Sequence, residues 1–379
     1  MASKFRIFTK RFLLLFNWGV VFFFVMACLA PYFNPQTVWF ISFLGILFPF
    51  LLLGILAFLT WWLFVKRRYA WISAAALLLG FKSITVFLAF HFPPSFHSEK
   101  KLQAIRIVNW NVARFLEMKR NNNKGSQTRL KMMELLKQQN ADILCLQEFF
   151  HSYDSAWYQN LDYVREKLNY PYYFYSHDID GDKNFMGNAI FSRYPIIDSG
   201  IIRYPRPTLP EALIHADIRV KNRIIRVYNT HLQSVQLGKG DYEKIEHIKE
   251  GDEGMITNSK VIFSKLRSGI ANRKIQTDIV RQVLGDSPYP VVFCADLNDI
   301  PNSYTYFKIK GRMQDAFLKK GFGVGRTFSA ISPTLRIDYI LADDHFRIDQ
   351  FKRVVRKYSD HYMLVSDIEL KGSHRAPGP

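Results

Sequence analysis

Six short apolar runs after residue 104 each lead to, or begin at, a polar residue of a kind used in catalysis. They are IRIVNWNV with Asn111, ILCLQE with Glu148, IIRVYNTHLQ with His231, VVFCADLND with Asp296 and Asn298, RIDYIL with Asp338, and YSDHYMLV with Asp360 and His361. Runs of this length, rich in β-branched and aromatic residues, read as strands, and their interiors are too apolar to hold a charge. The carboxylates suit a hard cation. The two imidazoles suit proton transfer or phosphate stabilisation, and the carboxamides can orient an anion. Together they form an inventory for metal-assisted phosphoester hydrolysis.

The first quarter of the chain obeys a different constraint. Residues 1–92 contain no Asp or Glu, and the apolar stretches 12–32, 38–65 and 69–92 are each long enough to cross a hydrocarbon core of roughly 30 Å. We expect three transmembrane helices. The first also matches the pattern of a cleaved signal peptide, with a basic start and small residues at Ala27 and Ala30. Lys4, Arg6, Lys10 and Arg11 precede the first span and Lys66, Arg67 and Arg68 follow the second, whereas the turn at Asn34 is uncharged. The positive-inside rule then puts everything after residue 92 outside the cytoplasm, periplasmic or extracellular. Lys82, within the third span, is expected to snorkel or to face a neighbouring helix.

Removing the eight basic residues of 1–92 leaves 43 basic against 32 acidic, so the soluble part carries +11 of the total +19. That surplus favours anionic partners without choosing among nucleic acid, phosphorylated sugars and lipid head groups. The polar stretch 93–103 reads as a linker, 104–370 as one domain, and 371–379 as a disordered tail. Within the domain, strand-like runs outnumber helical ones, which lie at 128–139, 155–168 and about 259–284. This pattern predicts an α+β fold or a layered sandwich with mixed sheets. Residues 236–258, with four glycines among charges, read as a surface insertion just after His231. Cys145 and Cys294 lie inside strand-like runs and are expected to be buried and unpaired.

Each site residue has local chemistry. Glu148 should emerge at a strand end, where a carboxylate is a natural Mg²⁺ or Mn²⁺ ligand. Asp296 and Asn298 would point to one side of an extended chain, one able to orient water and the other to donate to a phosphoryl oxygen, and an Asx turn there is compatible with both roles. Neighbouring side chains on a strand point apart, so Asp338 is a better partner for His361 than Asp360 is. No HExxH, CxxC, GxSxG or P-loop pattern occurs.

Taken in order, WNV, LQE, NTHLQ, DLND, RIDYIL and SDH resemble the endonuclease/exonuclease/phosphatase superfamily over about residues 104–370. The resemblance implies a four-layer sandwich of two mixed β-sheets flanked by helices, here preceded by the three transmembrane helices. It implies Glu148 as the principal Mg²⁺ (or Mn²⁺) ligand with Asn111 and Asp360 nearby. Asp296 would position water, Asn298 would hold the phosphate, Asp338 would orient His361 as the base or phosphate ligand, and His231 would stabilise the transferring group. Asn188, in GNAIFSRYPI, is a further polar candidate. Ala295 departs from the glycine usual before the DxN aspartate. The expected activity is a membrane-anchored, divalent-metal-dependent phosphoesterase acting on a phosphodiester, nuclease-like first. The alternatives are a phospholipid or inositol-phosphate phosphoesterase and a tethered binding protein without turnover.

Overall fold

In the computed structural model, which describes residues 2–92, 96–120, 127–250 and 255–371, the apolar runs after residue 104 pair into two mixed sheets. In chain order their strands are β1 (Ile105–Asn111), β2 (Ile143–Ser152), β3 (Tyr172–Tyr175), β4 (Ile179–Gly181), β5 (Asn184–Ser192), β6 (Ile196–Arg203), β7 (Ala212–Val220), β8 (Arg223–His231), β9 (Val291–Asp296), β10 (Gln314–Asp315), β11 (Asp338–Ala342), β12 (Phe346–Val354) and β13 (Met363–Leu370). One sheet runs β12-β13-β1-β2-β5-β3, with β4 also on β5; the other runs β10-β11-β9-β8-β7-β6. Only β1 with β2 and β8 with β9 are parallel, and each of these pairs is joined by a long helical crossover, as a parallel pair requires.

The sheets face each other across one apolar layer. Ile107, Ile143, Cys145 and Ile190 of the first meet Ile214, Val227, Val292, Cys294 and Ile340 of the second. Both cysteines are buried and free, as expected. On its other face the first sheet packs Trp110, Leu144 and Leu146 against Met132, Met133 and Leu136 of the helix Thr128–Gln138. Each such side chain contributes about 1.5–3 kcal/mol on burial. Helices therefore flank two sheets, in agreement with the layered expectation.

Three buried carboxamides interrupt the apolar layer. Gln147 spends both amide hydrogens on Asn109 Oδ1 and Asn229 Oδ1, each at 2.6 Å. Asn109, on the first sheet, donates to the Ala295 and Tyr339 carbonyls of the second at 3.1 and 3.2 Å. Asn229, on the second, donates back to Leu146 and Ala189 of the first at 3.0 and 2.9 Å. The sheets are thus stitched by directional bonds as well as by apolar contact. Breaking one would strand buried donors at about 1–3 kcal/mol each.

Some local expectations change. Strands β6 and β12 carry no clean alternation and were not expected. β6 accommodates Gly200 because the His215 ring of β7 occupies the space a Cβ would need, 2.4 Å from its Cε1. β12 is a charged edge strand with a bulge between Ile348 and Gln350. The helix expected over 155–168 is reduced to Asn160–Asp162 followed by one wide turn at Tyr163–Lys167. Most of the presumed insertion is helical, Lys239–Glu250 and then Met255–Gly285, with residues 251–254 outside the described residues. The tail from 372 also lies outside them.

A second compact unit comprises residues 1–88, 235–274 and 299–308. Among the described residues two helices are long and apolar enough to cross a membrane, Phe5–Tyr32 and Trp39–Val65. The third apolar stretch is two helices, Ala70–Leu79 and Phe81–Phe87, bent by 63°. The break falls at Gly80, where the Phe24 ring sits 2.5 Å from the position of an added Cβ. That close approach is open only to glycine. At the C-terminal end of the first helix and in the turn after it, Asn302 Nδ2 donates to the Ala27 carbonyl at 2.9 Å and Gln36 Nε2 to the Ala271 carbonyl at 3.2 Å. Lys82 Nζ lies 5.2 Å from the Tyr32 ring centre and 5.3 Å from that of Phe307, so it faces neighbours within this unit.

Candidate active site

Strand register sets the site's first row. Asp296 pairs with His231 across the parallel β8–β9 contact and with Asp338 across the antiparallel β9–β11 contact. Three site residues thereby stand side by side at one edge of the second sheet. On the first sheet Asn111 pairs with Gln147, and a bulge between Leu146 and Phe149 interrupts the ladder of β2 with β5. Glu148 sits in that bulge with φ +47°, a conformation that non-glycine residues seldom adopt. The bulge is what re-aims its carboxylate.

The two edges meet through Asn111, whose Nδ2 donates to Asp296 Oδ2 at 3.1 Å and lies 3.3 Å from Glu148 Oε1. His361 Nδ1 stands 3.0 and 3.1 Å from the Asp338 oxygens, and its Nε2 is 3.6 Å from Asp296 Oδ2. Asp338, not the adjacent Asp360, is therefore the carboxylate on His361. His231 Nδ1 donates to Glu211 Oε1 at 3.0 Å, while its Nε2 faces Asn298 Nδ2 at 2.8 Å. Asn298 also donates to the Leu232 carbonyl at 2.9 Å and closes the anticipated Asx turn, its N–H reaching Asp296 Oδ1 at 2.9 Å. Its φ of +51° is one that Asn tolerates.

Asp360 is exposed, and Ser359 links it to the rest. Ser359 Oγ lies 3.2 Å from Asp360 Oδ1 and 2.8 Å from the Asn111 carbonyl oxygen, and it accepts the His361 N–H at 3.1 Å. Asn188 stands apart from this group. It donates to the Ala212 carbonyl at 3.0 Å and lies 3.4 Å from Asp178 Oδ2. Burial pushes the Asp178 carboxyl up to about 6.

Burial alone would lower both imidazole pKa values. For His361 the Asp338 and Asp296 charges outweigh it, pushing the value up to about 10. For His231, Glu211 at hydrogen-bond distance, with Asp296 and Glu148 behind it, holds the value well above the ordinary range. Glu148 and Asp360 carry carboxylate oxygens, and Asn111 a carboxamide oxygen that accepts the Ala113 N–H at 3.0 Å, donors of the kind Mg²⁺ and Mn²⁺ prefer. Arg114 Nε approaches Glu148 Oε2 at 3.7 Å from a left-handed turn at 113–116. Asp296, Asp338 and His361 also present ligand atoms mutually within 4.8 Å. The residues thus fit a divalent cation.

Sequence reasoning passed over Glu211, the carboxamides Asn109 and Asn229, and Ser359 as a brace. A usable signal existed for two of them. Asn109 and Asn229 each lie two residues before a named site residue, on the same strand face.

This frame, two stacked sheets with an acid and imidazole row at one edge, is that of a phosphoester hydrolase. The chain belongs to the Endonuclease/Exonuclease/phosphatase family, whose model matches residues 108–361. Residues 10–87 match a second model, described as a domain of unknown function (DUF8431). Over 158 residues the chain is 32% identical to inositol phosphosphingolipids phospholipase C of Schizosaccharomyces pombe, covering 38% of this chain and 34% of that protein. The match spans about a third of that relative's length. The fold is shared with a crystal structure of an endonuclease/exonuclease/phosphatase from Beutenbergia cavernae, at 18% identity and TM-score 0.50 over 72% of each chain. The human Nocturnin catalytic domain aligns at 17% identity and TM-score 0.49 over 75% of this chain and 96% of that one.

The His361–Asp338 pair makes stability depend on pH. The folded-state pKa of His361 is raised, so its contribution is fully present below the unfolded value near 6.5 and is lost as pH rises toward about 10. In chelator, Asp338→Asn should melt below the parent protein at pH 6.5, and the gap should close by pH 10. Thermal melts across that range check it. A gap that does not change with pH would mean Asp338 does not hold a charge on the ring.

Proposed function

We propose that the protein is a membrane-anchored, divalent-metal-dependent phosphodiesterase whose substrate is a lipid of the membrane that holds it. The observation that carries this reading is the pairing, in one chain, of two helices long and apolar enough to cross a membrane with a phosphoesterase domain. The 32% identity over 158 residues to a protein named inositol phosphosphingolipids phospholipase C supports a lipid phosphodiester as the substrate. An enzyme anchored in a bilayer meets its lipids at high effective concentration. The nucleic-acid reading is the second, favoured by the +11 surplus of the soluble part.

In this reading Glu148, with Asn111 and Asp360, would hold Mg²⁺ or Mn²⁺, which supplies Lewis acidity and charge neutralisation at the phosphoryl group. Asp296, fully buried and fixed by the Asn111 amide, orients water toward phosphorus. His361, held by Asp338, takes or gives a proton at Nε2. Asn298 donates to a phosphoryl oxygen. His231 meets the same group through Nε2 once a substrate oxygen displaces the Asn298 amide, and Glu211 balances the charge on the ring.

Purified full-length protein in lipid nanodiscs, given Mg²⁺, should cleave a sphingolipid or glycerophospholipid phosphodiester faster than plasmid DNA, RNA or inositol phosphates. Chelator should abolish turnover, and His361→Ala should lower kcat by roughly 10²–10⁴-fold. DNA or RNA cleaved in preference to lipid would reject the lipid reading, and full activity in Glu148→Ala would reject the site.

The same proposal places the catalytic domain outside the cytoplasm. A reporter active only after export, fused behind Leu370, should be active. A fusion that works only in the cytoplasm would reverse the topology.

A further inference from the structure

The helix Met255–Gly285 carries an unusual outward face in its first half. Ile256, Lys260, Phe263 and Arg267 follow one another at spacings of four, three and four residues, which puts them in one stripe. All four are exposed, Ile256 at 69% and Phe263 at 40%. Residues 255–274 hold five basic residues and no acid. Two of the five are turned to carboxylates, Lys265 to Asp241 at 2.5 Å and Arg273 to Asp299 at 3.5 Å. Lys260 and Arg267 are the two on the stripe.

Contacts within the helical unit fix where this stripe lies. The Phe263 ring stacks on Phe43 with centroids 4.2 Å apart at 16°, and Trp39 meets it edge-on at 5.1 Å. The Arg267 guanidinium sits 5.1 Å over the Trp39 ring. Trp39 is the first residue of the second membrane-length helix, and Phe40 beside it is 52% exposed. Tryptophan at a span's end marks the head-group level of a bilayer. A stripe anchored on Trp39, alternating apolar and cationic side chains, therefore matches the boundary between acyl chains and phosphates, where Ile256 and Phe263 can insert and Lys260 and Arg267 can meet negative charge.

We infer that the stripe Ile256–Lys260–Phe263–Arg267 is a membrane-docking face that binds anionic phospholipid head groups. The inference rests on the membrane-anchor reading and is independent of which ester is cleaved. The test uses the full-length protein in nanodiscs of phosphatidylcholine alone or mixed with phosphatidylglycerol, followed by amide hydrogen exchange. Exchange across 255–274 should slow roughly tenfold or more when phosphatidylglycerol is present, since two cations act near an anionic surface. The slowing should vanish at high salt and in Lys260→Gln/Arg267→Gln, whose sheet strands should keep parental protection. Equal exchange in both kinds of disc, or slowing that survives the double substitution, overturns the docking face alone. Protein recovered free of lipid overturns both the anchor and the face.

Discussion

The arrangement of this domain turns on Gln147, a residue with no place in any proposed chemical step. Its amide joins Asn109 of one sheet to Asn229 of the other, and each of those bonds backbone carbonyls across the sandwich. Apolar contact alone would let two sheets slide, because it has no direction. Buried amides do not slide, since every displaced donor would be left unsatisfied. The consequence reaches the site directly. Glu148 follows Gln147, Asn111 lies two residues beyond Asn109, and His231 lies two beyond Asn229. Each half of the site is thus built on a strand pinned by a carboxamide.

Much of this was legible because strand chemistry is local. An apolar run that meets a carboxylate must end there or turn the charge aside: β9 ends at Asp296 as expected, whereas β2 runs on past Glu148 to Ser152 and diverts the charge at a bulge instead of ending. The alternation rule separated Asp360 from His361 and pointed to Asp338, which the hydrogen bonds to His361 Nδ1 match. What stayed hidden depends on distant partners. Glu211 has no motif of its own and acquires meaning only when β8 brings His231 to it. The bulge that re-aims Glu148 shows only when β2 is laid against β5. The strand around Gly200 could not be read without knowing that the His215 ring fills the space above it.

The membrane segment shows the same division. Two long apolar helices follow from composition. The bend in the third at Gly80 does not, because it depends on Phe24 of another helix pressing against the missing side chain. Nor did composition reveal that residues 235–274 and 299–308, which follow two site strands, group with the spans instead of with the sheets. The glycines and charges of 236–258 read as a surface insertion where Lys239–Glu250 is helix, while the helix expected over about 259–284 is present as Met255–Gly285, its Phe263 in an aromatic seam with Trp39 and Phe43.

If the carboxamide stitch is what holds the two half-sites together, removing it should damage turnover beyond its effect on folding. Gln147→Leu keeps the bulk and deletes the amide. The decisive measurement is its phosphodiesterase kcat together with its unfolding free energy in denaturant. A folded protein, destabilised by about 1–3 kcal/mol, that turns over at least tenfold more slowly is the predicted result. Parental turnover in a folded Gln147→Leu protein would contradict it, and the half-sites would then need another explanation for their register.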